Sequence, residues 1–309
     1  MLVLRHLERV GRRFHVPVVT LGNFDGVHCG HQEILRRLVA TARAANGTAV
    51  AITFEPHPAA ILTPARAPQL LTDLRARIER IAALGVDALV VQRFTRAFSE
   101  VSAADFIRRM LVDGLGVRAV VVGHRVSFGH NRTGNAESLR RFGAECGFGV
   151  EVVGPVTVAG VAVSSSAVRR AIVDGDLARA RAFLGRPASV GGRVVHGHHR
   201  GRALGFPTVN LHFGGLVLPP EGVYAAWVHV AGAAHPAVAN LGYNPTFGLT
   251  ARSLEAHIFD FDRDLYGQRV EIDFVRRLRG ETKFPDVQAL REQIGRDAAA
   301  ARRVLAEPT

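Results

Sequence analysis

Five short runs within the first 155 residues are apolar and rich in β-branched side chains: 18–21, 48–54, 88–92, 119–123 and 150–153. Runs of this length with little polar alternation predict strands buried on both faces of a parallel sheet. Between them, apolar residues recur at helical spacing over about 31–45, 71–84, 103–111 and 135–142. In the first of these segments Ile34, Leu35, Leu38 and Val39 are spaced along one face. Strands alternating with helices predict an α/β domain whose parallel sheet is covered on both sides.

The pattern changes past residue 185. Short β-type runs at 191–195, 223–229, 237–241, 254–259 and 269–274 are punctuated by Gly and Pro. Such spacing predicts a small antiparallel barrel or sandwich. A last amphipathic helix is expected over 287–305, with Leu290, Ile294, Ala298 and Ala301 on one face. The change of pattern near Gly185-Arg186-Pro187 sets the expected domains at 1–185 and 186–309.

Composition narrows the class. The chain has 309 residues, 48% hydrophobic and 21% charged, enough for two globular cores. No window approaches the roughly 18 uninterrupted apolar residues of a membrane span. The opening MLVLRHLERVGRRFHVP lacks the apolar core of a signal peptide, so a cytoplasmic location is expected. Cys29 and Cys146 make neither a disulfide framework nor a zinc cluster. The net charge of +12 comes almost wholly from arginine, Lys283 being the one lysine. A basic chain raises nucleic acid as a partner. The arginines are scattered through the helical patterns, however, as at Arg36, Arg37, Arg75, Arg77, Arg80, Arg108 and Arg109. Without an RNA-binding aromatic motif or a zinc finger, small anionic substrates are the better expectation than nucleic acid or membrane. Oligomeric state is not legible.

The first candidate chemistry follows the strand at 18–21. Gly22, Asn23, Phe24, Asp25 and Gly26 break that strand, and His28 and His31 fall at the joint with the next helix. Unpaired backbone N–H groups and the helix dipole favour an anion there, and two imidazoles three apart can both donate to a phosphate. A tight turn with two surface histidines, or half of a metal site, fits the bare HxxH equally well. After the second strand run, Pro56 and Pro58 stiffen the loop Thr53-Phe54-Glu55-Pro56-His57-Pro58, where Phe54 offers an apolar face to a ring. Ser164, Ser165 and Ser166 precede Arg169 at a helix start, where serines cap helices or bind phosphate.

The stretch GNFDGVHCGHQ resembles the opening motif of the bifunctional riboflavin kinase/FAD synthetase (FMN adenylyltransferase) family of bacteria. HCGH is a version of the HxGH signature of the nucleotidylyltransferases. The resemblance implies a nucleotidylyltransferase-like parallel-sheet domain, then a small antiparallel β-barrel with a C-terminal helix. It implies that His28 and His31 stabilise the α-phosphate of ATP while pyrophosphate leaves, and that Gly22 to Gly26 line the nucleotide. TFEPHP is similar to a family segment and implies that Phe54, Pro56, His57 and Pro58 meet the flavin. VSSSAVR resembles ISSTxIR, implying that Ser164, Ser165, Ser166 and Arg169 grip the β- and γ-phosphates. In the second half, GRALGFPTVN is similar to the riboflavin kinase signature GRxLGFPTAN. Gly201, Gly205 and Pro207 then shape an ATP loop, while Thr208 and Asn210 supply the hard oxygen ligands that Mg²⁺ prefers. PPEGVY, ANLGYNPTF, LEAHI, DLYG and the ending Arg279-x-Glu281-x-Lys283-Phe284 follow in family order. Glu255 aligns with the family's general base. Riboflavin plus ATP giving FMN, and FMN plus ATP giving FAD, are the reactions implied.

One motif departs. Where the family usually reads V-G-x-(D or N)-F-x-F-G, this chain reads Val122-Gly123-His124-Arg125-Val126-Ser127-Phe128-Gly129. Arg125 replaces an acceptor with a donor-only guanidinium and Val126 replaces an aromatic, so the loop either pairs with an FMN phosphate or spoils the flavin pocket. The competing expectation is a riboflavin kinase alone, its first domain altered or kept as a flavin-binding regulatory module.

Overall fold

The computed structural model describes residues 1–197, 204–243 and 252–307. The chain divides into two compact units, Met1–Gln69 with Leu74–Ser165, and Leu70–Asp73 with Ser166–Thr309.

The first unit is built on six parallel strands, β1 (Leu2–Arg5), β2 (Pro17–Leu21), β3 (Thr48–Glu55), β4 (Ala88–Arg93), β5 (Ala119–Gly123) and β6 (Gly149–Val153). Their order is β1-β4-β3-β2-β5-β6. A two-residue hairpin, β7 (Thr157–Val158) and β8 (Val161–Ala162), stands apart from this sheet. All five positions of β2 are buried, as an unbroken apolar run requires when both faces are covered. On one face Val18, Leu89 and Val121 pack against Leu35 and Leu38 of α1 (Cys29–Ala44) and Ile81 of the helix Leu74–Ala82. On the other, Val19, Ile52, Val90 and Val122 meet Ile107 and Leu111, together with Leu139 and Phe142 of the helix Ala136–Cys146.

Two features differ from expectation. The helix expected over 103–111 is π-helical over Phe106–Leu115 and ends at Gly116 in the left-handed region. The edge strand β1 was not expected. It pairs with β4 alone and leaves Leu2 and Val3 half exposed, so its sequence lacks a continuous buried run.

Strand order fixes where a ligand can sit. From β2 the chain steps out through β3 and β4, then returns to β5 on the other side of β2. Loops leaving β2 and β5 therefore diverge, and the crevice at their carboxyl ends is the usual ligand site of such sheets.

The second unit is a closed antiparallel barrel of β9 (Ala188–Val195), β10 (Val209–His212), β11 (Gly222–Val230), β12 (Ala233–Tyr243), β13 (Arg252–Ile258) and β14 (Arg269–Arg279), in the order β10-β13-β12-β11-β14-β9. β10 escaped the sequence pattern because only four residues follow the Gly-Phe-Pro turn. The last helix, Val287–Ala306, covers the outer faces of β11 and β12, with Val223, Ala225 and Val238 against Ala298, Ala301 and Val304. The Arg279 guanidinium clamps the helix by a fork on Asp297, with contacts of 2.7 to 3.1 Å. Gln293 Nε2 donates to the same carboxylate at 2.8 Å.

Asp297 is 6% exposed, so removing it strands a half-buried guanidinium. Losing one partner of a buried pair costs about 3–5 kcal/mol. Asp297→Ala is expected to lower the barrel's unfolding free energy, read from its urea transition, by that order while the first unit keeps its own transition. An unchanged barrel transition would show the clamp to be dispensable.

Candidate active sites

The first site is the joint between β2 and α1. Phe24 and Val27 take φ values of 48° and 40°, the left-handed region that non-glycine residues rarely adopt. They are held there from both sides. Their side chains are 1% and 2% exposed in the core under α1. The loop's carbonyls are also fixed: Val27 O accepts from Gln32 Nε2 at 2.9 Å, Asn23 O from Thr53 Oγ1 at 3.1 Å, and Asp25 O from Ser165 Oγ at 3.1 Å. His28 caps α1, its Nδ1 accepting from the His31 N–H at 3.3 Å. A neutral His28 then carries its proton on Nε2. The two imidazoles stack with centroids 3.7 Å apart, and Phe24 meets His31 edge-on at 5.3 Å. Gly30 permits this stack, since a Cβ there would lie 3.2 Å from His28 Cε1.

Electrostatics sets the protonation of the pair. Burial, then the neighbouring His28, then the Arg77 guanidinium hold His31 well below the ordinary imidazole value. His31 Nδ1 is buried with no hydrogen-bond partner among the described residues. A neutral imidazole at a helix N-terminus can donate its one N–H to charge developing on a phosphate.

Around this joint, His57 caps the short helix Pro58–Leu62 through Nδ1, 3.2 Å from the Ala59 N–H, and its Nε2 lies 3.2 Å from the Asn23 amide. Phe54 begins a row of rings through Phe98 and Phe106 to Phe128. Arg125 is exposed in the turn after β5, and Val126 packs on the core. Ser165 opens the helix Ser165–Val173, which carries Ser166 and Arg169, and the division between units falls between Ser165 and Ser166.

The second site lies on the outer face of the barrel. β13 buries Leu254, Ala256 and Ile258 and leaves Glu255 and His257 partly open. Register places Asn210 of β10 and Asn240 of β12 on either side of Glu255, so three polar side chains form a row across the sheet. Glu255, Asn240 and Thr208 line a cavity of about 540 Å³ whose apolar wall is Val223, Val238, Phe284, Leu290 and Ile294. Thr208 also lines a second cavity of about 450 Å³ with Asn210, Phe261, Arg263 and Tyr266. His257 Nδ1–H donates to the Pro207 carbonyl at 2.8 Å and fixes the turn that carries Thr208. The Asn210 amide lies against Gly197, where a Cβ would come within 2.3 Å of its nitrogen. Gly201 lies outside the described residues.

Residues 12–167 match the FAD synthetase family and residues 184–305 the riboflavin kinase family. The bifunctional riboflavin kinase/FMN adenylyltransferase of Escherichia coli K12 is 39% identical over 92% of this chain and 91% of its own. That of Pseudomonas fluorescens is 39% identical over 100% of this chain and 99% of its own. The chain belongs to the bifunctional riboflavin kinase/FMN adenylyltransferase family. A solved structure described as a macrolide-efflux protein from Streptococcus pneumoniae shares its fold, with TM-score 0.85 and 30% identity over 98% of this chain and 99% of that one. No helix among the described residues is long and apolar enough to cross a membrane.

His28, His31, Asn23 and His57 lie on the segments that leave β2 and β3, with Phe54 at the end of β3, while Thr208, Asn210 and Asn240 lie beside Glu255. Sequence reasoning passed over Arg77 and Asp297. Arg77 read as one surface arginine among many, yet it is 1% exposed. Its apolar neighbours Ala76, Ile78 and Ile81 were the available signal. Asp297 becomes visible only through helix docking, and the ANLGYNPTF match held Asn240 without placing it beside Glu255.

His31 also predicts a pH effect. An unfolded chain's imidazole binds a proton near the ordinary value of 6.5, whereas the folded one resists protonation. Stability from this group is therefore complete above that pH and is lost as pH falls below it toward the folded value. Thermal midpoints of the first unit from about pH 7.5 to about pH 5 should fall more steeply for the parent than for His31→Gln. Parallel profiles would contradict the assignment.

Proposed function

We propose that the chain makes FMN from riboflavin and ATP at the barrel and FAD from FMN and ATP at the β2–α1 joint, the adenylyltransferase occupying 1–185 and the kinase 186–309. The stacked imidazoles at the start of α1 carry the first assignment. An FMN phosphate oxygen attacks the α-phosphorus of ATP, pyrophosphate leaves, and His28 and His31 donate to the charge that develops. Gly22, Asn23, Phe24, Asp25 and Gly26 form the bend that admits the nucleotide. Ser164, Ser165, Ser166 and Arg169 hold its outer phosphates. Phe54, Pro56, His57 and Pro58 form the flavin wall, where the exposed Arg125 contacts the FMN phosphate.

At the barrel, Glu255 takes the proton of the riboflavin 5′-hydroxyl as that oxygen attacks the γ-phosphorus, and ADP leaves. The apolar wall beneath the last helix suits the isoalloxazine ring, and the Phe261–Arg263–Tyr266 cavity suits ATP. Gly205 and Pro207 shape the turn ahead of β10, and Gly201 belongs to the same ATP-binding motif. Thr208 and Asn210 fit Mg²⁺: both offer hard oxygens, and the Gly197 approach orients Asn210 beside Glu255. When bound, the ion supplies charge neutralisation on the ATP phosphates. The substrates are small molecules, and the cytoplasm, where ATP is made, is the proposed location.

The two assignments separate by mutation. Glu255→Gln should abolish FMN formation yet leave FAD formation from supplied FMN at the parent rate. His31→Ala should cut FAD synthesis on the order of 10²–10³-fold and spare the kinase. Product analysis with riboflavin or FMN as the sole flavin reads both. Kinase turnover by Glu255→Gln at the parent rate, or full FAD synthesis by His31→Ala, would overturn the corresponding half.

A further inference from the structure

A buried arginine beneath the first site meets no substrate in the reactions above. Arg77, on the helix Leu74–Ala82, is 1% exposed. Its Nη1 donates to Thr53 Oγ1 and to the Phe54 carbonyl, each at 3.2 Å, and its Nη2 to Glu55 Oε2 at 3.2 Å. Its Nε–H is buried with no acceptor among the described residues. The carboxylate that balances it is itself 32% exposed. Burying a cation with incomplete pairing is costly, and an apolar side chain would serve simple packing better.

The fork instead leads to the active loop. Thr53 is fully buried, and its hydroxyl has one proton, which it donates to the Asn23 carbonyl at 3.1 Å. With Arg77 donating into that hydroxyl, the proton has one direction left to point. Asn23 precedes Phe24, whose left-handed backbone turns its ring edge onto His31. Arg77, Thr53, Asn23, Phe24 and His31 thus form one unbroken chain of contacts. We propose that Arg77 is the positioning residue of the adenylyl transfer, setting the imidazole pair through the Thr53 hydroxyl without touching substrate. The proposal rests on the adenylyltransferase reading of the His28–His31 site.

The test begins with the full unmodified chain forming FAD from FMN and ATP, which establishes that reading first. A misplacement of about 1 Å at a reacting centre costs on the order of 10²-fold in rate. Arg77→Gln should therefore lower kcat for FAD synthesis by about 10²-fold, with KM for ATP within about threefold of the parent. Arg77→Lys, which keeps charge but not the fork, should recover only part of that loss. The thermal midpoint of the first unit reports its folding and should stay close to the parent's, and kinase turnover at the second unit should stay at the parent level. Thr53→Val removes the relay and leaves the guanidinium in place. It should lower kcat on its own, and the double variant should be no slower than Arg77→Gln alone, because both break one path. Parent-like kcat in Thr53→Val, or losses that multiply in the double variant, would overturn the proposal. So would a loss confined to KM. Should Arg77→Gln lower the thermal midpoint of the first unit as well, the Thr53→Val rate decides by itself.

Discussion

Everything at the first site depends on one short bend that must end a buried strand, reverse direction and present a helix N-terminus. Two of its residues adopt left-handed backbone at a cost of about 1–2 kcal/mol each. Full burial of a Phe or Val side chain contributes about 1.5–3 kcal/mol, so the core beneath α1 offsets the strain. Phe24 and Val27 thus act as anchors for a shape the backbone would not hold unaided. With the bend fixed, His28 can cap α1 and His31 can stack on it, and the site arrives preorganised.

The barrel reaches preorganisation by a different route. Antiparallel register sets Asn210, Glu255 and Asn240 in a row, and a closed sheet has no edge along which that row could slip. The last helix, clamped by Arg279 and Asp297, adds an apolar wall beside the row. Phosphoryl and adenylyl transfer both need positioned donors and acceptors more than covalent chemistry from the protein. A rigid bend in one unit and a locked register in the other meet that need.

The parallel sheet was legible because strands buried on both faces write themselves as apolar runs, as at 18–21 and 88–92. The exposed edge strand β1 and the four-residue β10 wrote no such signal. His28 and His31 stood out in the sequence by their spacing at a strand–helix joint, whereas Glu255 came only from the family resemblance. Arg77 was not, because a buried arginine and a solvated one look alike until the helix is docked. The placement of Asn240 and Asp297 was hidden in the same way: their significance comes from partners 15 and 18 residues away across a strand pair and a helix contact.

The central claim is that both transfers belong to this one chain. The most direct measurement is to incubate the protein with riboflavin, ATP and Mg²⁺ and to resolve FMN, FAD and pyrophosphate over time. FMN should appear first, then decline as FAD and pyrophosphate rise in equal amounts. Accumulation of FMN with no FAD, persisting when FMN and ATP are supplied directly at high enzyme concentration, would contradict it.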